Sequence, residues 1–109
     1  MSAMLFVLQR ASAGVLAFAV VVHLATIVFA VRGGLTAGEI LERTQGNAAY
    51  LAFYFVFVAA VAVHAPIGLR NVLREWIGLK GRSCDAALAL FALVLFALGV
   101  RAVMALYVT

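Results

Sequence analysis

Between Arg10 and Arg32 the chain reads ASAGVLAFAVVVHLATIVFAV, residues 11–31, without one formal charge. At 1.5 Å per residue this run makes a helix of about 31 Å, enough to cross the hydrocarbon core of a bilayer. It exceeds an ordinary signal-peptide h-region and lacks an A-x-A-like exit before Arg32, so the helix is expected to stay in the mature chain. The pattern repeats downstream: residues 47–69 carry no formal charge and end at Arg70. A third run starts after Asp85 and has 15 uncharged residues before Arg101. That is only about 22 Å of helix, so Arg101 must snorkel outward or be paired inside. The expected fold is an all-α integral membrane bundle of three transmembrane helices, up-down-up, with spans at 11–31, 47–69 and 86–107 in one domain, 1–109.

Composition agrees with that fold. The 109 residues are 68% hydrophobic and 11% charged, with a mean hydropathy of +1.20, outside the range of a water-soluble domain. A net charge of +4 could suggest nucleic acid, but the basic residues sit at span ends, where they orient helices. Arg10, Arg70, Arg74, Lys80 and Arg82 fall on one side, against Arg32, Arg43 and Arg101 towards the other. The positive-inside rule places the first group, and the N-terminus with it, in the cytoplasm, as a multi-pass protein of the cell inner membrane. The single cysteine, Cys84, cannot build a disulfide framework, a zinc site or an iron–sulfur cluster from this chain alone. Residues 33–46 form a polar connection with room for one short interfacial turn, and Pro66 is expected to bend the end of the second span. Tyr50, Trp76 and Tyr107 suit the headgroup level, while Phe53, Phe55 and Phe57 read as lipid-facing and packing surface.

Two histidines lie inside apolar spans, His23 and His64. An ionisable side chain there is costly without a partner or a task. Ala19 precedes His23 by four residues, and Ala60 and Gly68 flank His64 by four, so small side chains share a helix face with each imidazole. Such faces let a flat macrocycle approach, and histidine is a common axial ligand of haem iron. The plain alternative is a hydrogen bond to a neighbouring helix that holds the bundle together. Counted from the basic span ends, His23 lies about 18 Å deep and His64 about 9 Å, a mismatch of roughly 9 Å. Without marked tilting of the helices one iron cannot take both, so each histidine that binds haem is expected to find its opposite number on another chain.

The segment His64-Ala65-Pro66-Ile67-Gly68-Leu69-Arg70 resembles the H-x-x-x-G-x-R segment of the cytochrome b membrane anchors of succinate dehydrogenases and fumarate reductases. Upstream, Gln9-Arg10-Ala11-Ser12-Ala13-Gly14-Val15 is similar to that family's R-x-S-G stretch at the start of helix I. The resemblance implies that His64 is an axial haem b ligand, that Arg10 serves the quinone pocket or a haem propionate, and that Arg70 pairs with a propionate. It gives Ser12 a weaker place in the quinone pocket. The hydroxyl that the single-haem anchors use lies one turn earlier, where Phe6 stands, and Gln9 replaces a histidine found before the arginine in some members. His23 followed by Leu24 is similar to the two-haem anchors, so His23 is expected to bind a second, distal haem b.

The same resemblance implies electron transfer to or from quinone by a non-catalytic subunit. A flavoprotein partner would interconvert succinate and fumarate, an iron–sulfur partner would dock on the basic loop 70–82, and a second anchor chain would complete the haem sites. Two other classes compete with this one. A proton-coupled transporter would place a carboxylate within a span, and none of Glu39, Glu42, Glu75 or Asp85 is so placed. A haem-free structural anchor stays open as the alternative.

Overall fold

A computed structural model describes residues 2–108. Four helices run in order: α1 (Ala3–Gly33), α2 (Ala37–Thr44), α3 (Ala48–Val72) and α4 (Arg82–Val108), with a π-helical turn at Leu73–Ile77 continuing α3. Three of them are long and apolar enough to cross a membrane, and no strand occurs among the described residues.

The three long helices cover the apolar runs and extend beyond them. The Ser2 hydroxyl accepts from the Leu5 amide and caps α1 eight residues before the expected start, so Arg10 lies inside the helix. At 31 residues, α1 is about 46 Å long and outreaches the hydrocarbon. The connection after it is more than one turn: Thr36 and Glu39 form a reciprocal capping box that starts the two-turn α2. Gly34, at φ 114°, closes α1, and a side chain there would overlap the Glu39 carboxylate. Arg43 Nη2 donates to the Gly34 carbonyl at 2.6 Å, tying α2 back onto α1. Pro66 is buried within α3, which runs on through it to Val72.

The central helix is α3, packed against α1 on one side and α4 on the other. Gly99 lets α4 come so close that a Cβ there would overlap the Val58 side chain. At the α2 end, Thr44 Oγ1 donates to the Leu106 carbonyl and Gly46 N–H to that of Tyr107, which sets the start of α3 beside the end of α4. The molecule measures 47 × 23 × 22 Å. Its buried residues are mostly small or few: Ser12, Ala19, Ala60, Pro66, Ile67, Leu88 and Val103. Phe18, Phe29 and Leu93 are each 67% exposed or more. That surface suits lipid, where small residues bring helices together and large apolar ones face outward at no cost.

Candidate functional site

His64 is half-buried on the α1-facing side of α3. Its Nδ1 lies 3.3 Å from Ser12 Oγ, and Ser12 Oγ–H donates to the Gln9 carbonyl at 3.1 Å. Ser12 is only 7% exposed. Its hydroxyl is thus engaged within the chain by the Gln9 carbonyl and the His64 imidazole. One turn beyond His64, Gly68 has the Gln9 side chain against it, with Nε2 3.3 Å from where a Cβ would stand. Gln9 thus borders Gly68 from α1, and Ala60 and Ala19 are buried in the bundle.

The two arginines do not converge on His64 within this chain. Arg10 leaves α1 about 160° round from Ser12, since two residues turn a helix by some 200°. It is exposed, its guanidinium 5.6 Å from the Phe6 ring centroid. Arg70, six residues after His64, leaves α3 about 120° away. Its Nε donates to Asp85 Oδ1 at 3.2 Å, and it lines a cleft of about 390 Å³ between α1, α3 and α4. Two buried polar atoms at this end have no hydrogen-bond partner among the described residues, Gln9 Oε1 and Arg70 Nη1. Gln9 Oε1 is an acceptor and Arg70 Nη1 a cationic donor, so of the two only the guanidinium suits an acidic group.

His23 sits on the other half of the bundle. Its Nδ1 is 3.0 Å from the Tyr54 hydroxyl, and its ring meets Tyr54 and Phe57 edge-on at centroid distances of 5.6 and 5.5 Å. It borders an almost wholly apolar cavity of about 890 Å³ between α1, α3 and α4, with Tyr50, Phe53 and Phe57 on its wall and Arg43 at the α2 end. Phe53 and Phe57 line this open cavity, whereas Phe55 packs edge-on against Phe96.

The contacts also set the depth difference. Ser12 is level with His64, and His23 with Tyr54, so ten or eleven residues of helix, about 15 Å, separate the two imidazoles. The roughly 9 Å expected from the sequence took Arg10 and Arg70 as level, but Arg10 sits about one turn deeper. One iron cannot bridge them, as expected. Each imidazole turns Nδ1 to a hydroxyl and keeps Nε2 for something else. An imidazole with Nδ1 held and Nε2 unpartnered among the described residues would suit haem iron, one nitrogen from this chain per group.

Tyr54 is the site residue that sequence reasoning missed, and Gln9 was read there only as the replacement of a histidine. The family model described as succinate dehydrogenase/fumarate reductase transmembrane subunit matches residues 1–105. No curated protein and no solved structure matches the chain.

Proposed function

Because the chain belongs to the family of succinate dehydrogenase/fumarate reductase transmembrane subunits, we propose that it is a haem b-binding anchor that passes electrons between an iron–sulfur subunit and quinone. The observation that supports this most is the setting of His64. It lies at the H-x-x-x-G-x-R segment, inside an apolar helix, with Nδ1 held by Ser12 and Nε2 unpartnered among the described residues. Haem b held there would supply a one-electron couple within the membrane, and ligation by two histidines leaves no open iron position.

The chain's own residues do the rest. Ser12 and Gln9 hold the imidazole and its surroundings from α1. Arg70 Nη1 is the unpaired donor that a propionate would meet. Arg10 faces away from His64, so its part in a quinone pocket is one shared with a partner surface. The exposed Arg74, Lys80 and Arg82 carry the positive face on which an iron–sulfur subunit would dock, with a flavoprotein beyond it performing the dicarboxylate chemistry. A second anchor chain supplies the opposite histidines. The positive-inside count puts this face in the cytoplasm and the chain in the inner membrane.

His23 has two readings. As the ligand of a distal haem it has the cavity and a free Nε2. As a structural residue it has the Tyr54 hydrogen bond and an aromatic cage, which alone satisfy it. The test is a reduced-minus-oxidised spectrum with a pyridine haemochrome assay on the assembled complex, for wild type, His64→Ala and His23→Ala. Loss of haem in both variants supports two haems. Loss in His64→Ala alone makes His23 structural. A colourless wild-type complex leaves a haem-free anchor as the function.

A further inference from the structure

An imidazole binds iron through a nitrogen that carries no proton, so a ligand histidine must hold its proton on the other nitrogen. Which nitrogen that is depends on the neighbour. A serine hydroxyl has one hydrogen and two lone pairs. In α1 the Ser12 hydrogen points to the Gln9 carbonyl, three residues back on the same helix. The same oxygen lies 3.3 Å from His64 Nδ1. With its hydrogen spent on Gln9, Ser12 has only a lone pair left for the imidazole. The contact is attractive only if Nδ1 carries the proton and donates.

We infer that Ser12 is a positioning residue that selects the Nδ1–H tautomer of His64 and so holds Nε2 open as the ligand nitrogen. The inference rests on the haem reading of His64 given above. Burial strengthens it. At 7% exposure and within an apolar span, Ser12 has no ready water to take over either of its two contacts, and its place on α1 fixes the ring plane from the neighbouring helix. Gln9 belongs to the device through its backbone, because its carbonyl takes the hydrogen that would otherwise be free to reverse the bond. The reverse arrangement, Ser12 donating to Nδ1, would put the proton on Nε2 and close the ligand position.

A donor bond from Nδ1–H makes the imidazole a stronger base, which favours ferric over ferrous iron. Removing its acceptor therefore raises the midpoint potential. A tenfold loss in the ferric preference reads as about 59 mV upward for a one-electron couple. Loss of such an outer partner also weakens metal-group retention by roughly 10- to 100-fold.

The experiment compares Ser12→Ala and Ser12→Thr in the assembled complex by potentiometric titration of the haem absorbance and by the rate of haem loss. The expected result is a raised potential and faster loss in Ser12→Ala, with both restored by the hydroxyl of Ser12→Thr. An unchanged potential and full haem retention in Ser12→Ala overturns the inference. Should the alanine variant fail to assemble, ring 15N shifts of His64 in the haem-depleted wild-type chain in bilayers decide the matter. A proton on Nδ1 supports the selection by Ser12, and one on Nε2 overturns it. A wild-type complex without haem would sink the proposed function instead, and the ring shifts would still report whether Ser12 sets the tautomer.

Discussion

Each histidine is held by a hydroxyl on the facing helix, and the two hydroxyls differ. The hydrogen of Ser12 is committed to a backbone carbonyl, whereas the Tyr54 hydroxyl has His23 as its partner and can either donate or accept. Tyr54→Phe tests which role His23 plays. It strips one half-buried imidazole nitrogen of its partner, a loss on the order of 1 kcal/mol by the usual worth of such a bond, read as a lower Tm in detergent. If His23 binds a distal haem, the variant also shifts one of two haem potentials and leaves the other, held by His64, at its wild-type value. A shift in the His64 haem alone would contradict the separation of about 15 Å drawn from the helix contacts. The histidines, Arg10 and Ser12 were visible in the sequence as residue types, but their neighbours were not. The spans are apolar all round, so no amphipathic stripe reveals which side of α1 meets α3. The resemblance implied the quinone pocket or a propionate for Arg10 and the quinone pocket for Ser12, without showing that a turn of some 160° separates the two. Tyr54 escaped notice because its meaning lies in the register of α3 against α1.

At the scale of the element, hydropathy located the spans and capping chemistry set their ends. The signal for α2 was in the sequence as Thr36-x-x-Glu39, a capping-box spacing that sits just before Ile40 and Leu41. The Glu39 carboxyl is held below the ordinary glutamate value, first by the Thr36 hydroxyl and then by the Thr36 backbone N–H. A carboxylate with a lowered folded-state value adds stability above its unfolded value and loses it as pH falls through the folded one. Amide exchange in α2, corrected for intrinsic rates, should therefore accelerate as the medium is taken to pH below the ordinary glutamate range. Glu39→Gln, which keeps an acceptor and loses the charge, should flatten that dependence. Helix packing makes a second prediction. Gly99 admits the Val58 side chain where a Cβ would collide, so Gly99→Leu should destabilise the α3–α4 pair by about 1–3 kcal/mol, the usual cost of overpacking. Thermal unfolding in detergent measures it, and Val58→Ala should recover part of the loss in Gly99→Ala. An unaltered Tm in Gly99→Leu would mean the two helices separate freely.

Taken whole, the molecule is three helices in a row with α3 in the middle, and its two open clefts and exposed Arg101 face outward. A water-soluble chain with so few buried residues would not hold together, whereas a membrane helix pair needs only small contacts and a few polar ties such as Arg70–Asp85. Partner helices can cover the rest, and which side of the bilayer each end reaches decides where they dock. Cys84 reports on this directly. It is the single cysteine of the chain, partly exposed, and lies beside Asp85 at the end where Arg70, Arg74, Lys80 and Arg82 gather. Gly38 in α2 marks the opposite end and has open space around it, so Gly38→Cys in a Cys84→Ser background gives the matching probe. A membrane-impermeant maleimide added to intact spheroplasts should label Gly38→Cys and spare Cys84, and inverted membrane vesicles should give the reverse. Labelling of Cys84 from outside would turn the bundle over. The basic loop would then face away from any cytoplasmic iron–sulfur partner, and His64 would become the ligand on the far side of the membrane.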